Sequence, residues 1–110
     1  MWLNLNNYKE HLKGINVVEF SGESCANCLT LMPILSRLIE SRNDCGLFHI
    51  EVNNETLPLV EKYEIKMVPT IMIMYDDECF VSCRGYQPEE ILELWLDSKI
   101  KELKKIKNIA

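Results

Sequence analysis

The sequence predicts an α/β protein with a mixed sheet of about five strands and helices on both faces of the sheet. Short runs rich in β-branched and aromatic residues alternate with longer segments whose apolar residues recur at helical spacing. Near the end, two predicted strands follow each other through a tight turn, as in a hairpin. The 110 residues are enough to bury a core, and we expect one domain over residues 1–110.

The first half of the chain alternates strands and helices. "WLNL" (2–5) alternates apolar and polar residues as an edge strand does, and "YKEHLK" predicts a short helix that ends at Gly14. "INVVEF" (15–20) is rich in β-branched residues and predicts a buried strand. A helix is predicted from Cys25 to about Ser41. Its apolar stripe comprises Cys28, Leu31, Met32, Leu35, Leu38 and Ile39.

A further strand and helix follow in the middle of the chain. "LFHIEV" (47–52) predicts the strand because apolar and β-branched residues dominate it. We expect Asn53 or Asn54 to cap the helix after it, which continues through Tyr63. This segment therefore adds one strand and one helix to the alternating pattern.

The last part of the chain predicts a hairpin and a long helix. "TIMIMY" (70–75) and "CFVSCR" (79–84) are two strands joined at "DDE" (76–78), where aspartates tolerate turn geometry. Pro88 suits the first turn of the final helix. The apolar stripe that should cover the sheet comprises Leu92, Trp95, Leu96, Ile100 and Leu103.

Composition and charge narrow the classes of function. Apolar residues make up 47% of the chain and charged residues 26%, as in soluble globular proteins. The net charge is −5, although residues 99–110 hold five lysines and one glutamate. The acidic remainder of the chain argues against a nucleic-acid partner. The lysines are better explained as the solvated end of a helix than as a binding site for an acidic partner.

The sequence also lacks signals for a membrane or for secretion. No apolar run approaches the roughly 18 residues of a membrane span, and the start lacks the features of a signal peptide. We therefore expect a cytoplasmic monomer without a membrane partner.

The pattern of cysteines indicates which chemistry the protein performs. The chain has five, and an odd number in a reducing compartment favours reactive thiols or a metal site over a disulfide scaffold. Cys25 and Cys28 lie at the start of the predicted helix, where unpaired N–H groups and the helix dipole stabilise a thiolate. One helical turn places the two side chains about 5–6 Å apart, within reach of a disulfide. The pair can thus cycle between dithiol and disulfide.

Several separate motifs agree with a known pattern around this pair. "VVEF" (17–20) precedes the C-x-x-C, Pro33 lies five residues after the second cysteine, and "EKYEIKMVPT" (61–70) leads into Pro69. Gly85 follows the hairpin without insertion or gap. Over nearly its whole length the chain resembles the thioredoxin family, whose motifs include a strand with a buried acid, a kinking proline and a cis-proline. The resemblance implies the thioredoxin fold.

The resemblance also implies a thiol–disulfide oxidoreductase that reduces or exchanges protein disulfides. Cys25 would attack the target and Cys28 would resolve the mixed disulfide, without a bound cofactor or metal. A cis Pro69 would turn the Val68 backbone toward the thiols, although it could also be a plain strand-entry proline. The implied substrate surface comprises Ala26, Asn27, Val68, Pro69 and Gly85. The implied electron donor is a flavin-dependent thioredoxin reductase.

One acidic residue stands inside an otherwise apolar strand. The resemblance implies that Glu19 occupies the buried-acid site of the family, where Asp is usual, and accepts a proton from Cys28 directly or through water. The alternative is a surface ion pair at an outward edge of the strand. His49 aligns with a position that often carries lysine, and it either contacts Glu19 or is a half-exposed strand residue.

The active-site motif departs from the family pattern. Thioredoxins usually read W-C-G-P-C, whereas this chain has Ser24 before the first cysteine and Ala-Asn between the pair. Ser21 replaces another common tryptophan. The two residues between the cysteines influence the reduction potential, so the potential of the family does not carry over.

The remaining three thiols favour a buried or incidental role. Cys79 and Cys83 lie four apart on one predicted strand, hence on one face but about 13 Å apart. At that separation they cannot bridge each other or bind one zinc, whose bonds to sulfur are about 2.3 Å. Cys45 lies in a loop, where oxidation or intermolecular pairing is also open to it.

Three other functions compete with the oxidoreductase. A metal- or cluster-binding module would use Cys25 and Cys28 with further cysteines, but the chain has no second C-x-x-C. A redox-silent domain would keep the fold only for docking partners. A glutaredoxin is disfavoured because "RGYQPEE" (84–90) lacks the glycine pair with which that family holds glutathione.

Overall fold

The computed structural model describes residues 1–109, in which five strands and four helices alternate. The strands are β1 (Trp2–Leu3), β2 (Ile15–Gly22), β3 (Gly46–Val52), β4 (Thr70–Tyr75) and β5 (Glu78–Arg84). The helices are α1 (Tyr8–His11), α2 (Ala26–Glu40), α3 (Leu57–Lys62) and α4 (Glu89–Ile106).

All five strands belong to one mixed sheet in the order β1-β3-β2-β4-β5. β1, β3 and β2 run parallel, whereas β4 pairs antiparallel with both β2 and β5. The most buried strand, β2, is central and has seven buried residues out of eight. The arrangement confirms the predicted α/β class and the number of strands.

Helices cover both faces of the sheet, as predicted. On one side, which we call the α2 face, α2 and α4 pack against the sheet; on the other, the α3 face, α3 and the turn after α1 do so. The α2-face core includes Val17, Leu31, Leu35, Ile71, Ile73, Leu92, Leu96, Ile100 and Leu103. The α3-face core includes Leu3, Leu12, Val18, Phe20, Ile50, Leu59, Tyr63, Met72 and Met74.

Helix α2 begins where the sequence predicts and continues through Pro33 to Glu40. Its predicted stripe is buried except for Met32, which is only partly covered. In α4 the predicted stripe is likewise buried except for the partly exposed Trp95. None of the helices within residues 1–109 has both the length and the apolar character needed to cross a membrane.

The expected cap of α3 is wrong. The helix begins after Thr56, and Asn53 instead closes the preceding loop. The Asn53 N–H donates to Thr56 Oγ1 at 3.1 Å, and the Thr56 N–H donates to Asn53 Oδ1 at 3.0 Å. Pro58 lies in the first turn of this helix, where N–H groups have no helical partner, so its missing N–H breaks no hydrogen bond. Its fixed φ also suits a helix that begins at Leu57.

A bulge in β5 corrects the predicted arrangement of two cysteines. A register shift between Ile73 and Met74 leaves Phe80 as an extra residue on β5. Cys83 pairs with a residue of the α2-face core, whereas Cys79 pairs with a residue of the α3-face core. The two thiols therefore lie on opposite faces, and the expectation that they share one face is wrong.

A cluster of charged side chains joins the loop after α2 to α4. Asp44 accepts hydrogen bonds from Arg42 at 2.9 and 3.0 Å and from Lys104 at 2.7 Å, and Arg42 also pairs with Asp97. The hydrogen bond from Arg42 outweighs the effect of burial and holds the pKa of the Asp44 carboxyl well below its usual range. This cluster therefore holds α4 against the loop between α2 and β3.

Replacing Asp44 with Asn should destabilise the fold in a pH-dependent way. We expect the free energy of unfolding at pH 7 to fall by about 1–3 kcal/mol, because two charge-assisted partners lose their acceptor. Since folding lowers the pKa of Asp44, its contribution is complete above the unfolded value of about 4 and is lost as the pH falls further. Urea denaturation at several pH values measures the difference between the two proteins.

The matched control is Glu55→Gln, which removes an exposed carboxylate outside the ion pairs of residues 1–109. A difference between wild type and Asp44→Asn that stays constant from neutral to strongly acidic pH would contradict the assignment.

Candidate active site

Cys25 and Cys28 are joined by a disulfide at the start of α2. Cys25 is the N-cap residue, with an extended backbone at φ −96° and ψ 101°, and its Cα lies 5.3 Å from that of Cys28. The Cys28 N–H points at Cys25 Sγ, 3.2 Å away. The first sulfur therefore occupies the position where a helix offers unpaired N–H groups and positive potential.

The two sulfurs differ sharply in exposure. Cys25 is partly exposed, whereas Cys28 is only 1% exposed and lies on the buried side of α2. An incoming disulfide can thus reach the first cysteine but not the second. The asymmetry is what a pair needs if one member attacks an external bond and the other attacks only the resulting intermediate.

The residue before the pair has a backbone that the sequence did not indicate. Ser24 is exposed and has a φ of +60°, in the left-handed region that side chains other than glycine rarely adopt. Such a conformation costs on the order of 1 kcal/mol and persists where the surrounding structure enforces it. Here it turns the chain from the end of β2 into the first turn of α2.

Three loops meet at the end of β2, the strand that leads into the pair. The Val68–Pro69 peptide bond is cis, and Pro69 O accepts a 2.7 Å hydrogen bond from the N–H of Gly85, whose φ is +82°. Gly22, at the end of β2, lies so close to Val68 that a Cβ on it would be 2.8 Å from Val68 Cγ2. The segment before β4 is therefore held between the end of β2 and the residue after β5.

Exposed residues in and beside these loops include small and apolar ones as well as charged ones. Ala26 and Asn27 are exposed in the first turn of α2, where no aromatic side chain covers them in the part of the chain described. Sequence reasoning did not single out Leu29, Met67 and Tyr86, which are 72%, 46% and 39% exposed. Isolated exposed apolar residues carry no pattern in a sequence, so only the fold shows that these three side chains are exposed.

A buried acid–histidine pair lies on the α2 face of the sheet. Glu19 is 0% exposed and His49 is 7% exposed, which excludes both the surface ion pair and the half-exposed histidine. His49 Nδ1 lies 2.8 Å from Glu19 Oε1, and Trp2 stacks on the imidazole with ring centroids 5.2 Å apart. On β2, Glu19 lies between Val17 and the end of the strand, on the face that α2 covers.

The other three cysteines are free thiols in surroundings that oppose ionisation. Burial, together with the charge of Asp44, raises the pKa of Cys45 to about 11. Burial also raises the pKa of Cys79 and of Cys83 above the usual thiol value. Of the five cysteines, only Cys25 is the N-cap of a helix.

Sequence comparisons point to one family. The thioredoxin family model matches residues 1–98. A thioredoxin of Staphylococcus haemolyticus (strain JCSC1435) is 26% identical over 99 residues, covering 86% of this chain and 92% of the relative. A thioredoxin of Staphylococcus aureus (strain Mu50 / ATCC 700699) is 28% identical over 90 residues, covering 79% of this chain and 84% of the relative.

The structural comparison agrees on the fold. The crystal structure of thioredoxin f2 from Chlamydomonas reinhardtii superposes with a TM-score of 0.76. The match covers 86% of this chain and 91% of the other chain at 20% sequence identity. At this low sequence identity, the comparison shows that the two proteins have the same fold.

The contact between Gly22 and Val68 yields a stability test. Gly22→Ala should lower the free energy of unfolding by about 1–3 kcal/mol, because a methyl group 2.8 Å from Val68 Cγ2 forces the neighbouring loop to move. Adding Val68→Ala removes that Cγ2 atom and should restore most of the loss. Chemical denaturation of both single variants and the double variant measures the coupling, and additive losses would show that the two side chains do not compete for space.

Proposed function

The chain belongs to the thioredoxin family and is a thiol–disulfide oxidoreductase, and from this premise we propose that Cys25 and Cys28 are its redox pair. The observation that carries the proposal is their position: the exposed cysteine caps a helix, and the buried one lies a turn below within bonding distance. The chemistry follows from this difference between the two sulfurs.

The first step is attack by Cys25 on a disulfide of a protein substrate. In the reduced pair, the N–H of Cys28 and the start of α2 stabilise the Cys25 thiolate. Its sulfur forms a bond to one substrate sulfur while the substrate disulfide breaks, and the other substrate sulfur leaves with the electron pair. The product is a mixed disulfide between Cys25 and the substrate.

In the second step Cys28 resolves the mixed disulfide. Its thiol gives a proton to Glu19, directly or through water, and the thiolate attacks Cys25. The bond between Cys25 and the substrate breaks, the substrate leaves as a thiolate, and the bond between Cys25 and Cys28 forms. The substrate gains two electrons and the protein pair loses them. Glu19 suits this role because it is buried on the face of β2 that α2 covers.

We propose that the substrate binds as an extended segment along the loop before β4. Pro69 has no N–H and cannot donate a hydrogen bond to a peptide strand. The backbone of Val68, the residue before it, is therefore the part of this loop that would pair with the substrate. Ala26, Asn27 and Gly85 complete the surface, and none of them has a large side chain that would block approach.

The family implies a reductase partner, which we propose to be a flavin-dependent thioredoxin reductase. It would return two electrons to the Cys25–Cys28 disulfide after each cycle. We further propose that the protein works as a monomer in the cytoplasm, where other reducing systems keep the three remaining thiols reduced.

Reduction of insulin disulfides by dithiothreitol tests the redox pair. Cys25→Ser should abolish catalysed turnover because the attacking sulfur is lost, and Cys28→Ser should trap mixed disulfides because nothing resolves them. Precipitation of the insulin B chain measures turnover, and mass spectrometry detects the trapped adduct. Cys79→Ser is the matched control and should behave as wild type.

Two results would contradict the assignment. Equal activity in all four proteins would favour a redox-silent domain. Bound zinc, or the visible absorption of a metal cluster, in the purified protein would favour a metal-binding module.

The role of Glu19 is tested by separating the two steps. With dithiobis-nitrobenzoate, attack by Cys25 releases one nitrothiobenzoate at a rate proportional to reagent, and resolution by Cys28 releases a second at a rate independent of reagent. Glu19→Gln should slow only the second release, by about tenfold to a hundredfold, because it removes the proton acceptor. Glu40→Gln, an exposed carboxylate on α2, is the control. A normal second release in Glu19→Gln would exclude Glu19 as the acceptor.

A further inference from the structure

We propose that a cleft beside β5, on the α3 face of the sheet, binds an acidic segment of the protein substrate. Lys66 and Arg84 are then specificity-determining residues, which select disulfides that have carboxylates nearby. The inference rests on the proposed function, in which the substrate lies extended along Val68 and Pro69. It is carried by the position of the cleft, by the distribution of charge along it and by two cations without acidic partners.

The cleft lies between the edge strand β5 and the segment that joins α3 to β4. Its volume is about 380 Å³, within the range of clefts that bind ligands. Buried Thr70 and Met72 on β4 line its floor, and Ser82 and Arg84 on β5 line one side. Since alternate residues of a strand face the same side, Ser82 and Arg84 share the face on which Met72 is buried. The cleft therefore runs along the last two strands of the sheet.

One end of the cleft adjoins the proposed substrate surface. Thr70 directly follows Pro69, and Arg84 directly precedes Gly85. Thr70 and Arg84 are opposite each other in the register of β4 and β5, and beyond them the Gly85 N–H donates to Pro69 O at 2.7 Å. A peptide that pairs with the backbone of Val68 therefore has one of its flanks at the mouth of the cleft.

The two cations at this end lack acidic partners. Lys66 and Arg84 are both exposed, and neither forms an ion pair with a carboxylate among residues 1–109. Lys62 also lines the cleft but is paired with Asp77 at 3.0 Å. Because the net charge of the chain is −5, two unpaired cations that line one cleft run against its overall charge. They are available to a carboxylate of another molecule.

The carboxylates of the cleft lie toward its other end. Asp77 and Glu78 belong to the turn and the first residue of β5. Glu64 follows Tyr63, whose hydroxyl donates to Asp77 O at 2.6 Å. The six residues of β4 separate this end from Thr70 by about 17 Å. The cleft thus favours a substrate carboxylate close to the attacked disulfide and disfavours one further along.

The two cations suit a carboxylate that is partly withdrawn from water. The planar guanidinium of Arg84 can donate two parallel hydrogen bonds to one carboxylate, and the Lys66 ammonium adds a flexible point charge. An ion pair on an open surface contributes little, whereas a cleft with a buried floor excludes part of the water that screens the pair. We expect the two cations to tighten binding of an acidic segment by about threefold to tenfold. Because they contact the flank and not the disulfide, the gain should appear in binding and not in the rate at saturation.

Two isomeric peptides test the cleft. Each has one cysteine in a disulfide with nitrothiobenzoate, and two glutamates lie either on the amino-terminal or on the carboxyl-terminal side of that cysteine. A third peptide has glutamines at all of these positions. With reduced protein, the Cys25 sulfur bonds to the peptide sulfur and nitrothiobenzoate leaves with the electron pair. Cys28 then attacks Cys25 and releases the peptide thiolate. The acidic isomers have the same composition and net charge, so only a directional site can distinguish them.

The measurement is the rate of nitrothiobenzoate release as a function of peptide concentration. In the protein with native Lys66 and Arg84, one acidic isomer should reach its half-maximal rate at a concentration about threefold to tenfold lower than the other at about 20 mM salt. Most of this difference should disappear at about 500 mM salt. The double variant Lys66→Gln, Arg84→Gln should lose the difference, and Lys66→Arg, Arg84→Lys should keep it because both charges remain. Each single glutamine variant should lose part of it, and these two decide the question if the double variant does not fold.

The matched control is Lys101→Gln, Lys105→Gln, which removes two exposed cations of α4 outside the cleft and should keep the difference. All proteins carry Cys45→Ala, Cys79→Ser and Cys83→Ala, so that only the redox pair reacts. Thermal denaturation verifies that each variant is folded.

The outcomes separate this inference from the proposed function. If the glutamine peptide reacts no faster with the native pair than with Cys25→Ser, the redox pair is overturned, and the inference with it. If all three peptides react but the two acidic isomers have the same half-maximal concentration, the cleft is overturned and the redox pair stands. A difference that persists in folded Lys66→Gln, Arg84→Gln would also overturn the role of the two cations.

Discussion

The arrangement of the site depends on one constraint: a helix begins directly after the carboxyl end of the buried central strand. β2 is covered on both faces and leads through two residues into Cys25 and α2. The first N–H groups of a helix have no partner within it, so they are directed at whatever precedes the helix. Because a cysteine stands there, those groups face a sulfur, and the rigid strand fixes its position relative to the loop at Val68 and Pro69.

The same strand accounts for the buried acid. A residue that follows Val17 by two positions on β2 must face the α2 side of the sheet, where core residues such as Leu31 and Ile71 are apolar. Glu19 is tolerated there because His49 lies opposite it in the parallel register and bonds to one of its oxygens. A buried polar pair seldom adds stability over an apolar pair of similar size, so the fold by itself does not account for these two residues.

Much of this was predictable because the signals are local. The helix at Cys25, the buried strand before it and Pro69 follow from short patterns, and the family resemblance that they suggested is confirmed by the match over residues 1–98. The failures depend on contacts between distant parts of the chain. The bulge at Phe80 reflects register against β4, and the cap at Thr56 depends on how Asn53 closes its loop. The closeness of Gly22 to Val68 joins residues far apart in sequence, so no local pattern encodes it.

The free thiols show why position, and not the number of cysteines, decides reactivity. Burial raises the pKa of Cys45, Cys79 and Cys83, so at neutral pH each remains a protonated thiol and a poor nucleophile. Cys25 differs because it has a helix start to stabilise the anion and enough exposure to meet a substrate. Cys79 is also exposed but has no helix start beside it, so of the five sulfurs Cys25 alone combines access for a substrate with a setting that stabilises the anion.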